Sequence, residues 1–163
     1  MTRKRSAGRP STSRRTPRTD GVAPSWASSE AVRRRMQRQR TRDTGPEMAV
    51  RRLLHKSGLR YRVDIAPLAG LRRRADIVFG SARVAVFIDG CFWHGCPEHG
   101  MRATHVNSSY WSAKVVRNQA RDESTDEYLK AAGWDVIRVW EHEEPAAVAA
   151  FIAETVARRR PQS

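Results

Sequence analysis

The chain has 163 residues, enough for one domain of ordinary size with a tail and too few for a multidomain machine. Its 31 Lys and Arg against 17 Asp and Glu give a formal net charge of +14 and a pI near 11.3, far from an ordinary metabolic enzyme, so the expected partner is a polyanion. The excess is lopsided, with 13 Lys and Arg in residues 1–42 against only Asp20 and Glu30. No stretch reaches the roughly 18 apolar residues of a membrane span, and the charged N-terminus lacks the apolar run of a secretory signal, so the sequence reads as cytoplasmic.

Residues 1–26 are Arg, Ser, Thr, Pro and Gly with almost no apolar side chain, which predicts a disordered basic arm. Residues 27–42 contain a capping serine and Arg on every face, a pattern that fits a short helix lying against phosphates or a solvated basic linker. The folded domain is expected from 43 to 160. Thr44-Gly45-Pro46-Glu47 is a capping box opening a helix that runs through Leu53 and Leu54 to a stop at Gly58. Tyr61-Arg62-Val63 reads as a strand, and Ala75–Phe79 and Val84–Ile88 read as a hairpin of short buried strands across the Gly80-Ser81-Ala82 turn. A loop bearing cysteines and histidines follows. Ser108 or Ser109 to Ala132 is helix-prone, Trp134 to Trp140 alternates as a strand, and Pro145 to Arg160 is an Ala-rich final helix. This succession predicts a mixed α/β layer whose first strands pair antiparallel, the order found in restriction-endonuclease-like nucleases.

Asp76 interrupts an apolar strand, where an ionised carboxylate is costly unless paired or bound to metal, although a strand-end aspartate can also face water beside Arg72–Arg74. The neighbouring strand ends in Ile88-Asp89 and runs into Gly90-Cys91-Phe92-Trp93-His94. A carboxylate, a second acid or free carbonyl and a histidine at adjacent strand ends can hold Mg²⁺ and orient water for phosphodiester attack. Glu47 is a further candidate, compatible with its capping role. Cys91, Cys96, His99 and the distant His142 offer two thiolates and two imidazoles for a tetrahedral zinc, with His55, His94 and His105 as other possible donors. Two cysteines so close together do not make a secreted disulfide framework. Phe92-Trp93 and Tyr110-Trp111 are candidate wedges that unstack DNA, although aromatics taken singly are more often core anchors.

Taken together, Thr41-Arg42-Asp43-Thr44 with Glu47, the Asp76 strand, Gly90-Cys91-Phe92-Trp93-His94, Trp111 with Lys114, Asn118, Arg121 and Asp122, and Gly133-Trp134 through Val139-Trp140-Glu141 resemble the very short patch repair (Vsr) DNA mismatch endonucleases. The resemblance covers about residues 33 to 145. It implies a restriction-endonuclease-like core of order αβββαβ with a structural zinc loop and a C-terminal helix. It also implies Mg²⁺-dependent nicking of the thymine strand at T:G mispairs that arise when 5-methylcytosine deaminates. Carried over residue by residue, Asp76 matches the metal-binding aspartate, Ile88 the position whose backbone carbonyl reaches metal, His94 the histidine that activates water, and Glu47 an assisting glutamate. Phe92, Trp93 and Trp111 match the intercalating aromatics, Met36 matches an apolar residue that approaches from the minor groove, and Lys114, Asn118 and Arg121 join the DNA-contacting set. Asp89 stands where the family pattern has a second active-site histidine, and Cys96, His99 and His142 change the types of zinc ligand while keeping four. The implied partner is double-stranded DNA with a T:G mispair, bound by a monomer, with room for accessory repair proteins. A restriction-type or general repair nuclease of the same fold is the alternative. A silent zinc-bearing DNA-binding module is a third reading, opposed by Asp76 and His94.

Overall fold

The computed structural model describes residues 34, 43–99 and 108–160, so the expectations for the arm 1–26, for Met36 and nearly all of 27–42, and for His105 lie outside the described residues. Helix α1, Gly45–Lys56, starts where the capping box places it: Thr44 is extended, and its N–H donates to the Glu47 carboxylate at 3.3 Å. The helix stops before Gly58, whose φ of +76° is a conformation that costs glycine little. Its apolar stripe, Val50 and Leu54, is buried.

Three strands follow: β1 (Arg62–Ile65), β2 (Ala75–Phe79) and β3 (Val84–Asp89). They pair antiparallel in sequence order, with Ile77 opposite Val86 and Val63 opposite Ile77, as the predicted hairpin requires. The Arg83 N–H donates to the Gly80 carbonyl at 3.2 Å to close the turn. After a one-turn helix α2 (Cys91–His94) and the long α3 (Ser108–Ala131), strand β4 (Asp135–Trp140) returns parallel to β3, and α4 (Pro145–Arg159) ends the domain. A parallel return needs a long crossover, which α3 supplies. The sheet order is β1-β2-β3-β4, so the mixed α/β layer and its antiparallel start are both present.

Strand alternation divides the core in two. Ile77, Phe79, Val84, Val86, Ile137 and Val139 bury one face of the sheet against Val50 and Leu54 of α1 and Val148, Ile152 and Val156 of α4. On the other face Val78, Ala85 and Phe87 pack with Leu129 of α3 and Trp134. Alternation along β3 then puts Asp89 on the α3 side of the sheet, next to Phe87.

The segment after β3, expected as a loop, begins with a helical turn. The Trp93 and His94 N–H groups both donate to the Gly90 carbonyl, and Gly95 at φ +71° ends the turn, letting the Cys96 N–H reach the Cys91 carbonyl at 3.0 Å. A Cβ on Gly95 would sit 2.6 Å from Val115 Cγ1, so glycine also permits the close approach of α3. Four residues are too few for a periodicity signal to reveal such a turn. Among the described residues no helix is long and apolar enough to cross a membrane.

Candidate active site and metal-ligand group

The register of the β2–β3 hairpin brings Asp76 beside the end of β3, where its Oδ2 accepts the Ile88 N–H at 2.7 Å. Burial pushes the Asp76 carboxyl up to about 6 against the pull of that N–H, and the negative charges of Glu47, Asp89 and Asp64 add to the rise. A buried acid surrounded by other acids favours a proton or a cation, and hard oxygen donors of this kind suit Mg²⁺. Glu47, only 3% exposed, spends its carboxylate on Thr44 N–H and on Arg51 Nη1 at 2.7 Å, so among its described contacts it reaches Asp76 by charge alone. Asp76, Ile88, Asp89, His94, Asp122 and Arg138 line one cleft of about 500 Å³.

His94 enters this cleft from the last position of α2. Its Nδ1 lies 2.6 Å from Asp122 Oδ2 on α3 and 3.7 Å from Asp89 Oδ1 at the end of β3. Burial works against a charged ring, but the Asp122 hydrogen bond and the charge of Asp89 outweigh it and raise the His94 pKa. At Asp122 burial is likewise outweighed, by His94 and by the nearby Arg138 charge, and its pKa falls. With Asp122 ionised, the neutral ring donates from Nδ1 and leaves Nε2 as the nitrogen able to take a proton. Asp89 is gripped by both oxygens: Arg138 Nη1 donates to Oδ1 at 3.0 Å and to Oδ2 at 2.9 Å. Burial still raises the pKa of Asp89 despite Arg138 and His94.

From the same segment a second group gathers. Cys91 and Cys96, both buried, meet His99 and His142 with one ligand atom from each inside 4.8 Å of the others. The sulfur-to-Nδ1 distances are 3.0 Å for Cys91–His142, 3.7 Å for Cys96–His142 and 3.9 Å for Cys96–His99. Donors at zinc–ligand lengths on the corners of a tetrahedron lie about 3.4–3.8 Å apart, so the four fit one central ion. Burial and the adjacent Cys96 push the Cys91 thiol up to about 11, so without a cation the site disfavours the thiolates that zinc would bind. Glu98 sits 3.4 Å from His142 Nε2, placed to accept its N–H while Nδ1 faces the sulfurs. His94, one of the other possible donors, is committed to Asp122 instead.

The aromatic residues form one cluster, with ring centroids 5.2 Å apart for Phe92–Trp93, 5.0 Å for Phe92–Trp111 and 5.7 Å for Trp93–Trp111. Lys114 lies over Trp93 and Trp111 at 4.7 and 5.3 Å. Trp111 is buried, whereas Phe92 and Trp93 are half-buried, and of the three Trp93 lines the cleft. Helix α3 holds α2 by its free carbonyls: Asn118 donates to Trp93 O at 2.7 Å and Gln119 to His94 O at 3.1 Å, while Arg121 braces Asn118 at 2.8 Å.

Residues 28–99 match the family model for the DNA mismatch endonuclease Vsr. The chain is 48% identical over 125 residues to the Type II nicking enzyme V.NaeI of Lentzea aerocolonigenes, an alignment covering 76% of this chain and 75% of the relative. It is 44% identical over 119 residues to the Type II nicking enzyme V.XorIIP of Xanthomonas oryzae pv. oryzae, covering 71% and 83%. The chain belongs to the Vsr endonuclease family. A likeness of 36% over 101 residues extends to the DNA mismatch endonuclease Vsr of Escherichia coli, covering 62% and 63%. Membership makes the protein a DNA-acting endonuclease, which accounts for the basic balance of the chain.

Within this Vsr-family domain the sequence candidates fall into three places. Asp76, Ile88, Asp89 and His94 share the cleft, with Glu47 acting on it by charge; Cys91, Cys96, His99 and His142 share the sulfur and imidazole group; and Phe92, Trp93, Trp111, Lys114, Asn118 and Arg121 lie on or against the aromatic cluster. Two cleft residues were not singled out for it. Asp122 was visible only as part of the family pattern, and Arg138 carries no sequence signal beyond being a charge in an apolar strand.

Proposed function

We propose that this protein nicks the thymine-containing strand of DNA at T:G mispairs left by deamination of 5-methylcytosine, by Mg²⁺-dependent phosphodiester hydrolysis on a restriction-endonuclease-like core. The observation that carries the reading is the convergence of Asp76 with Ile88 and of His94 with Asp122 in one cleft lined also by Trp93, whose ring packs on Phe92. Asp76 and the Ile88 carbonyl would hold Mg²⁺, which when bound supplies positive charge against the charge that builds on the phosphate. His94 takes the proton of the attacking water at Nε2 while Asp122 fixes the ring through Nδ1. Glu47 and Asp89 add negative charge that strengthens cation binding at Asp76.

Phe92 and Trp93 provide apolar edges able to enter a base step, with Trp111 as their support, and the resemblance gives Met36 the part of an apolar residue that meets the minor groove. A mispair opens at lower cost than a matched pair, by up to a few kcal/mol, which gives a wedge its selectivity. Lys114, Asn118 and Arg121 serve this surface, Lys114 by charge and the other two by holding α2. Zinc bound by Cys91, Cys96, His99 and His142 fixes the other end of the same segment. The basic residues 1–42 contribute contacts to the DNA backbone, and a cytoplasmic monomer suffices for the reaction. The test is a labelled duplex with a single T:G pair, incubated with Mg²⁺ beside its T:A control. Cutting confined to the T strand of the mispair is expected; equal cutting of both duplexes would mean a nuclease of this fold without mismatch specificity.

A further inference from the structure

We propose that Arg138 is a positioning residue that decides which of two carboxylates holds His94. The inference rests on His94 being the proton acceptor. Two aspartates face His94 Nδ1, Asp122 at 2.6 Å and Asp89 at 3.7 Å. They come from different elements, α3 and the end of β3, so a ring that turned from one to the other would carry Nε2 to a different place. Arg138, on β4, engages both. Its Nη1 takes the two oxygens of Asp89 at 3.0 and 2.9 Å, and its Nη2 lies 3.5 Å from Asp122 Oδ1, the oxygen that His94 does not use.

The guanidinium is itself immobilised. Its Nε donates to Asp126 at 3.0 and 3.1 Å, its Nη2 reaches the Asp122 carbonyl at 3.4 Å, and its plane lies 4.4 Å from the centre of the Phe87 ring. A planar fork fixed on three sides is what distinguishes arginine from lysine at such a place. Contact of Nη1 with both oxygens satisfies Asp89 and turns its charge toward β4, leaving Asp122 Oδ2 as the partner of Nδ1. Without Arg138 the buried Asp89 would be left uncompensated 3.7 Å from the imidazole, and would compete for the Nδ1 proton.

The competition predicts a rescue. In full-length, zinc- and Mg²⁺-loaded protein, Arg138→Gln is expected to lower kcat for nicking roughly ten- to a hundredfold with KM for DNA little changed, because a displaced base costs rate rather than binding. Adding Asp89→Asn removes the competitor, so at Mg²⁺ concentrations high enough to offset the lost Asp89 charge near Asp76 the Asp89→Asn/Arg138→Gln double variant should recover most of the kcat lost in the single one. The double variant also lacks the unpaired buried carboxylate that could impair folding. Nitrogen NMR of the neutral His94 ring supplies a readout independent of turnover: the Nδ1–H signature of the Asp122 bond should shift in Arg138→Gln and return in the double variant. A folded double variant as slow as the single, or an Arg138→Gln protein with native kcat and native His94 spectrum, overturns the proposal. His94→Ala separates the two levels of the argument. If that variant nicks normally, the proton-acceptor role fails, and the NMR comparison alone still decides whether Arg138 sets the ring.

Discussion

Asp76 and Asp122 are carboxylates lining the same cleft, and their surroundings drive them in opposite directions. Asp122 lies between His94 and Arg138 and is held below its ordinary value, whereas Asp76 has only the Ile88 N–H against burial and three neighbouring acids and rises from 3.8 to about 6. A folded-state pKa above the unfolded one means the folded chain binds the proton more tightly. Stability from this group is therefore present at low pH and is lost as pH climbs from about 3.8 through about 6. Asp76→Asn removes that titration. Without added Mg²⁺, the variant should gain stability relative to the native chain across this window, by on the order of 2–3 kcal/mol, and hold the gain above it. Denaturant melts of both proteins over the range check this, and a flat difference would place the Asp76 carboxyl in contact with water. The same variant should lose nicking while keeping DNA affinity, since an amide does not replace the carboxylate's charge on the metal. Asp76 was legible in the sequence because a charge inside an apolar strand breaks a pattern. Arg138 breaks one too, but its meaning depends on Asp89, 49 residues earlier, and on Asp122 and Asp126 of a helix that crosses behind the sheet. Pairings at such distances leave no local trace.

The elements themselves were largely readable because each carries its own punctuation. The Thr44 capping box, the Gly58 stop, the hairpin turn after Phe79 and the Pro145 start all act within a few residues, and the structure begins or ends elements there. Helix α2 was not readable, since it exists through the Gly90 carbonyl, the left-handed Gly95 and the carbonyl contacts from Asn118 and Gln119. So short a helix cannot hold itself together and needs anchoring at both ends. Zinc would anchor the start through Cys91, which also donates its N–H to Glu141 at 2.8 Å, and so would tie the segment to the end of β4 through His142. His142→Ala is accordingly expected to lower zinc occupancy and to cut nicking together with the melting temperature, as would treatment with a chelator. Elemental analysis showing full zinc in a variant that melts normally would remove His142 from the ligand set.

At the scale of the whole molecule, charge and chemistry occupy different parts of the chain. Residues 43–163 carry 18 Lys and Arg against 15 Asp and Glu, nearly balanced, while residues 1–42 hold most of the excess. Part of the balance in the domain is absorbed at the cleft itself, where Arg138 is committed to Asp89 and Asp126 and Arg74 to Asp64. Guanidinium groups used in this way have less to offer a phosphate. On the proposed function, affinity for DNA rests heavily on the N-terminal 42 residues, and recognition and cutting on the domain. Contacts to the backbone carry no information about sequence or mispairing, and each one releases counterions. Deleting residues 1–26, which removes seven Lys and Arg and one Asp, should therefore weaken binding to T:G and T:A duplexes by the same factor and flatten the dependence of affinity on salt. The rate of nicking at saturating DNA should stay near native, because Asp76, His94 and the aromatic cluster are untouched. Titrations of both duplexes at several salt concentrations measure the slope, and an unchanged slope would assign the charge of those residues no part in DNA binding.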